Sequence, residues 1–119
     1  MKLVVAILQP FALNKVQNAL LKLSCFPGMT VVPVRGFGQG KGCDAPDFEA
    51  EIVDFTDKVR VEVAAPDDAV DAVVEAIVQA AHSGRRGDGK IFVLPLERAV
   101  RIRTREQNGD ALRSPLKDD

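Results

Sequence analysis

Residues 59–70 read VRVEVAAPDDAV, and this stretch contains a strand, a turn and the start of a helix. In the strand, Val59, Val61 and Val63 alternate with charged residues, which is typical of a strand with one buried and one solvated face. Pro66 and the two carboxylates that follow it suit a helix start, where the helix dipole favours negative charge. Hydrophobic residues then recur at helical spacing over the next three turns. The stretch therefore predicts a β-strand directly followed by an amphipathic helix.

The segments on either side of this stretch complete a βαββαβ order, followed by one more C-terminal strand. The remaining predicted elements are a strand at residues 3–8, a helix at 13–23 and strands at 30–37, 91–94 and 99–103. The first strand is apolar throughout, which is typical of a central strand, whereas Pro33 favours an edge position for its own strand. One antiparallel sheet covered on one face by two helices is the ferredoxin-like α+β sandwich, and the sequence predicts this fold.

The size and composition of the chain predict a single domain. Its 119 residues are 46% hydrophobic and 28% charged. We assign residues 1–112 to one domain and expect residues 113–119 to be a frayed tail.

Composition also excludes several classes of protein. No apolar run reaches the roughly 18 residues of a membrane-spanning helix, so neither a signal peptide nor membrane insertion is expected. Two cysteines are too few for a disulfide framework, which favours a cytoplasmic setting. A net charge of −1 gives no overall positive field, so nucleic acid is not an expected partner.

Three segments carry glycines or cations that suit an anion. Residues 35–42 read RGFGQGKG, where glycines let backbone N–H groups face a phosphate. Residues 83–90 read SGRRGDGK, whose spacing fits a Walker A loop, but a helix precedes it and a strand follows, which is the reverse order. Arg101 and Arg103 lie two apart on a predicted strand, so they would share a face and converge on one anion.

Each segment has a plainer interpretation when it is taken alone: a flexible loop root, a solvated basic turn or a surface ion-pair ladder. Together they favour a phosphate-bearing small ligand. The connection from Gln39 to about Glu49 is longer than a hairpin needs, and loops of this length are often functional. No nucleophile, base and orienting residue stand together, so neither catalytic residues nor an enzyme are predicted, and no metal ligands are predicted.

The sequence resembles the PII nitrogen-regulatory signal proteins over nearly its whole length. The matching residues are the Lys-Leu-Val start, Pro10-Phe11, Gly28, Thr30, Arg35-Gly36-Phe37-Gly38, Asp54-Phe55, Lys58-Val59, Gly84 to Val93 and Arg101-Ile102-Arg103-Thr104. This resemblance implies a homotrimer that binds ATP, ADP or AMP in each cleft between subunits. It also implies that the long loop reports the ligand to a protein target, in the regulation of nitrogen or carbon metabolism.

The resemblance also implies a set of contacts for the nucleotide. The residues expected around the phosphates and ribose are Gly36, Phe37, Gly38, Gln39, Gly87, Asp88, Gly89, Lys90, Arg101 and Arg103. Those expected near the base are Ile7, Thr30, Glu62 and Ala64. Lys58 matches a family contact to the effector 2-oxoglutarate.

The sequence departs from the family at the start of the loop. Members carry an Arg-Gln pair after the Gly-Phe-Gly, and that Gln ligates the magnesium that holds 2-oxoglutarate; here the pair is Gln39-Gly40. Glycine has no ligating side chain, so magnesium and 2-oxoglutarate are not expected ligands. The missing arginine removes one phosphate partner, so ATP should lose affinity relative to ADP or AMP. No Tyr or Ser lies between Cys25 and His82 for covalent modification. The divergence favours another target, such as a membrane transporter for metal efflux or bicarbonate uptake.

Two other function classes are alternatives. RGFG also begins the RNP1 pattern of RNA-recognition motifs, which share the βαββαβ order, but Gln39 to Gly42 do not continue that pattern, and the segment lies on the second strand instead of the third. A slow nucleotide hydrolase would need a base that the sequence does not identify.

Overall fold

The computed structural model describes residues 1–24, 26–37 and 55–113, and in it the predicted βαββαβ order is confirmed. Short 3₁₀ turns at Pro10–Ala12 and Asp67–Ala69 lead into the two main helices. The elements are β1 (Lys2–Leu8), α1 (Leu13–Leu21), β2 (Thr30–Gly36), β3 (Thr56–Ala65), α2 (Val70–Ala81), β4 (Gly89–Pro95) and α3 (Gly109–Leu112).

The four strands form one antiparallel sheet in the order β2-β3-β1-β4. The apolar strand β1 is central, as predicted, and pairs Leu8 with Val59 of β3 and with Gly89 of β4. Strand β2 lies at the edge of the sheet, which is where a residue such as Pro33, with no N–H to donate, can be accommodated. The fold is therefore the predicted ferredoxin-like α+β arrangement.

The hydrophobic core lies between the sheet and the two main helices. The three valines that alternate along β3 are buried, as their spacing predicts. Each such side chain contributes about 1.5–3 kcal/mol when it is fully buried. The other core residues with less than 5% exposure on β1, α1 and α2 are Val4, Ala6, Leu8, Val16, Leu20, Val73 and Ile77.

The opposite side of the sheet, which we call the helix-free face, carries the remaining side chains of the strands. Arg60 and Glu62 lie on this face and form an ion pair at 2.7 Å between Nε and Oε2. Beside them, Val32, Phe92 and Leu94 remain roughly half exposed. The helix-free face therefore combines a central charge pair with an uncovered apolar surface.

The predicted C-terminal strand at residues 99–103 is wrong. One isolated antiparallel bridge joins Val100 to Gln107, and the backbone N–H of Arg101 donates to the Glu106 carbonyl at 2.8 Å. Arg105 adopts a φ of 66°, which turns the segment back on itself. Alternation alone does not make a strand, because Ile102 has no surface to cover it and is 96% exposed.

The remaining differences are small or lie outside the described residues. Helix α1 ends at Leu21, two residues before the predicted end. The connection from Gln39 to Glu49 lies outside the described residues, as do residues 114–119 of the predicted tail. Within the described part of the chain, none of the helices has the length and apolar character needed to cross a bilayer.

Candidate functional site

Several predicted site residues lie at the end of the sheet where β1 and β2 end and where β3 and β4 begin. Gly89 opens β4 opposite the last residue of β1, and Lys58 lies near the start of β3. Gly36 ends β2 opposite Thr56, whose hydroxyl donates to the Gly36 carbonyl at 3.0 Å. The antiparallel register therefore brings two glycine-containing segments, far apart in sequence, to the same end of the sheet.

The turn before β4, residues 84–89, depends on glycine. Gly84, Gly87 and Gly89 have φ values of 82°, 91° and 115°, in the region that side chains disfavour. A Cβ atom at Gly89 would lie 1.9 Å from the carbonyl oxygen of Ile7. The close approach of this turn to β1 therefore excludes any side chain at Gly89.

Asp88 closes the turn through its carboxylate. The carboxylate accepts hydrogen bonds from the backbone N–H groups of Ser83 at 2.8 Å and Gly84 at 3.0 Å, and from the Ser83 hydroxyl. The Ser83 hydroxyl bond is the main reason that the pKa of Asp88 lies below its usual value. Asp88, predicted as a nucleotide contact, is thus also a structural residue of the turn.

The carbonyl oxygen of Gly87 accepts two side-chain hydrogen bonds. Gln9 Nε2 donates to it at 2.8 Å and Lys58 Nζ at 3.2 Å. Lys58 was predicted as an effector contact, but Gln9 was not predicted at all. The available signal was a long polar donor at the end of an apolar strand, directly before Pro10.

The residues predicted to lie near the nucleotide base share the helix-free face with Lys58 and Lys90. Ile7 pairs with Lys90, and Thr30 pairs with Glu62, so the members of each pair lie on the same side of the sheet. Thr30, Glu62 and Ala64 line a shallow depression of about 370 Å³. The other lining residues are Leu3, Pro27, Gly28 and Met29.

The two predicted phosphate arginines do not converge on a strand face. Arg101 has a side chain that is 15% exposed and is held by the C-terminal segment. Its Nη1 donates to Glu106 Oε1 at 2.6 Å, and its Nη2 donates to the carbonyls of Ala111, at 3.1 Å, and Arg113. Arg103 is exposed. The prediction that the two arginines share a strand face is wrong, and the role of each in binding nucleotide stays a prediction.

Glu106 is fixed between two donors. Besides Arg101, it accepts a hydrogen bond from the Thr104 hydroxyl at 2.6 Å. This bond is the main reason that the pKa of Glu106 lies below its usual value, and the charge of Arg101 lowers it further. The segment that was expected to extend as a strand is therefore closed by its own side chains.

Phe37 and Phe55 lie at the root of the long connection. Their rings meet edge to face, with centroids 4.9 Å apart, and both are largely exposed. Gly38 and Gln39, predicted as nucleotide contacts, lie outside the described residues. Among residues 1–24, 26–37 and 55–113, no group of three or more His, Cys, Asp or Glu side chains is arranged to hold a metal ion.

Comparison with known proteins gives one consistent result. The family described as Nitrogen regulatory protein P-II matches residues 1–106. The Nitrogen regulatory protein P-II of Azospirillum brasilense is 50% identical over 113 residues, and that of Haemophilus influenzae is 48% identical. Nitrogen regulatory protein P-II 1 of Escherichia coli K12 is 45% identical. Each comparison covers 94% of this chain and 100% of the relative.

Proposed function

Because the chain belongs to the nitrogen regulatory protein P-II family, we propose that it is a non-enzymatic signalling protein that binds an adenine nucleotide and reports it to a target protein. The target is a transporter or an enzyme, which the protein contacts through the connection between β2 and β3. We place the protein in the cytoplasm, in the regulation of nitrogen or carbon metabolism.

The glycine turn before β4 is the observation that carries this proposal. Gly89 is fixed against the backbone of β1, and Asp88 closes the turn from within. A backbone held in this way can offer N–H groups to an anion without the entropic cost of ordering a loop. Lys58 and Lys90 lie at the same end of the sheet and supply positive charge for phosphate oxygens.

The helix-free face supports a homotrimer with the nucleotide between subunits. Its half-exposed side chains, Val32, Phe92 and Leu94, form an apolar surface of the kind that is covered in an assembly. Ala64, in the predicted base region, lies six residues from Lys58 along β3, or roughly 20 Å. This separation favours a cleft in which one subunit supplies base contacts and its neighbour supplies phosphate contacts.

The predicted ligand preferences follow from the sequence of the loop. Gly40 offers no side chain to ligate magnesium, so we propose that 2-oxoglutarate contributes little. Gln39 replaces an arginine that would meet a phosphate, so we propose that ADP or AMP compete well with ATP.

Isothermal titration calorimetry with ATP, ADP and AMP tests the proposal, together with light scattering for the mass of the assembly. We expect nucleotide binding by a trimer and no phosphate release from ATP. Lys90→Ala should weaken ATP by about 1.5–3 kcal/mol, the value of a hydrogen bond to a charged group. Lys15→Ala is the matched control, because Lys15 is an exposed lysine on α1.

Three results would contradict the proposal. A protein that binds none of the three nucleotides is not a nucleotide sensor, and a monomer has no cleft between subunits. Steady release of phosphate from ATP would favour the hydrolase instead. Tight binding of single-stranded RNA would favour the RNA-recognition alternative.

A further inference from the structure

We propose that Gln9 is a positioning residue of the nucleotide site, which orients the peptide bond between Gly87 and Asp88 for phosphate binding. This inference rests on the proposed function, since it assigns a role within the same site. Gln9 acts through the turn and is not itself expected to touch the nucleotide.

The backbone of Gln9 is held in one conformation. Its carbonyl accepts the N–H of Ala12 at 3.0 Å, which closes the short 3₁₀ turn. Pro10 follows directly and restricts both its own φ and the conformation of Gln9, which is extended with φ −65° and ψ 139°. This fixed backbone limits which part of the glycine turn the Gln9 side chain can reach.

The amide of Gln9 packs directly on the glycine turn. Its Nε2 lies 2.8 Å from the Gly87 carbonyl oxygen, and a Cβ on Gly87 would also come within 2.8 Å of that nitrogen. The C=O and N–H of one trans peptide point in opposite directions. By holding the Gly87 carbonyl, Gln9 therefore also sets the direction of the Asp88 N–H.

Two donors share the Gly87 carbonyl, but they differ in what else they can do. A carbonyl oxygen has two lone pairs and can accept from Gln9 and Lys58 together. Lys58 carries a charge on a flexible stem, so a nearby phosphate or carboxylate can draw it away. Gln9 is neutral and keeps its bond when an anion arrives. The contribution of Gln9 should thus be greatest when the site is occupied.

The test compares Gln9→Met, which keeps the length of the side chain but removes the donor, with Gln17→Met as a control. Gln17 is an exposed glutamine on α1. We expect Gln9→Met to bind ATP and ADP about three- to tenfold more weakly, the size of one net hydrogen bond. Binding of adenosine, followed by NMR titration, should not change, because adenosine has no phosphate for the turn to meet. The control should bind all three ligands like the unmodified protein.

The outcomes separate this inference from the proposed function. If the unmodified protein binds neither ATP nor ADP, both fail. If it binds them and Gln9→Met binds them equally well, only the role of Gln9 is wrong. An equal loss for adenosine would indicate a general effect on the fold and would also overturn the positioning role. If Gln9→Met does not fold, Gln9→Asn, which shortens the reach of the amide by one methylene group, gives the same comparison.

Discussion

Replacing Gly89 with alanine should destabilise the protein more than the same change at any other described glycine. The new Cβ would lie 1.9 Å from the Ile7 carbonyl oxygen and 3.4 Å from the Leu8 Cα. The backbone of β1, which pairs with a strand on each side, cannot move aside as the end of a long side chain can. Relief therefore requires β4 to separate from β1 at the pairing of Leu8 with Gly89.

The expected cost has two parts. Holding a residue with a side chain at a φ of 115° costs about 1–3 kcal/mol. Forcing an extra methyl group into a packed position costs about another 1–3 kcal/mol. Gly28 separates the two parts, because its φ is 102° but nothing lies within 4 Å of its Cβ position. Gly28→Ala should therefore show the first part alone, and Gly89→Ala should exceed it by about 2 kcal/mol.

Urea denaturation at one fixed protein concentration measures these differences, since the stability of an oligomer depends on concentration. Gly109→Ala is the neutral control: its Cβ would meet open space, and its φ is not in the left-handed region. It should change the free energy of unfolding by less than about 0.5 kcal/mol. If Gly89→Ala were no less stable than Gly28→Ala, the close approach between the turn and β1 would be refuted.

Three further predictions concern charged residues and ligands. The lowered pKa of Asp88 means that its contribution to stability is complete above the ordinary value of 3.8 and is lost as the pH falls through the lower value of the folded state. Urea denaturation of Asp88→Asn should therefore show a deficit in the free energy of unfolding at pH 7 that narrows as the pH falls below 3.8. Arg101→Ala should lower the free energy of unfolding by about 1–3 kcal/mol because it leaves partly buried acceptors without their donor, whereas Arg103→Ala should change it by less than about 0.5 kcal/mol. Calorimetry should then find that each variant weakens nucleotide binding by about 1–3 kcal/mol. Unchanged affinity in both variants would place the nucleotide site elsewhere. Finally, 2-oxoglutarate should add little to the affinity for ATP because of Gly40, and strong positive coupling in a paired titration would contradict this.

Local patterns predicted most of the fold because burial itself is periodic. The alternation at Val59, Val61 and Val63 reflects a face that the helices cover, and the position of Pro33 follows from its missing N–H. The same alternation gave a wrong prediction at Val100 and Ile102. Val100 forms only an isolated bridge to Gln107, and both side chains remain exposed. Periodicity reports the shape of a segment but not whether a partner exists for it.

The candidate site was less predictable because its contacts span long distances in the sequence. Gln9 and Gly87 are 78 residues apart, and nothing in either segment alone indicates their hydrogen bond. The burial of Arg101 likewise depends on carbonyl groups of the C-terminal segment, whose backbone geometry no residue pattern specifies. Side-chain chemistry could be assigned from the sequence, but the particular partner of each donor could not.

The structural and functional interpretations of the glycine turn do not exclude each other. Gly89 is required by its contact with β1, and Asp88 is required to close the turn, whether or not a ligand binds. The same fixed backbone therefore serves both interpretations. Gln9 is more informative, because its bond is to a carbonyl that Lys58 already reaches and the turn is closed without it. A second donor on one carbonyl has a clear use if the first donor leaves it when an anion binds.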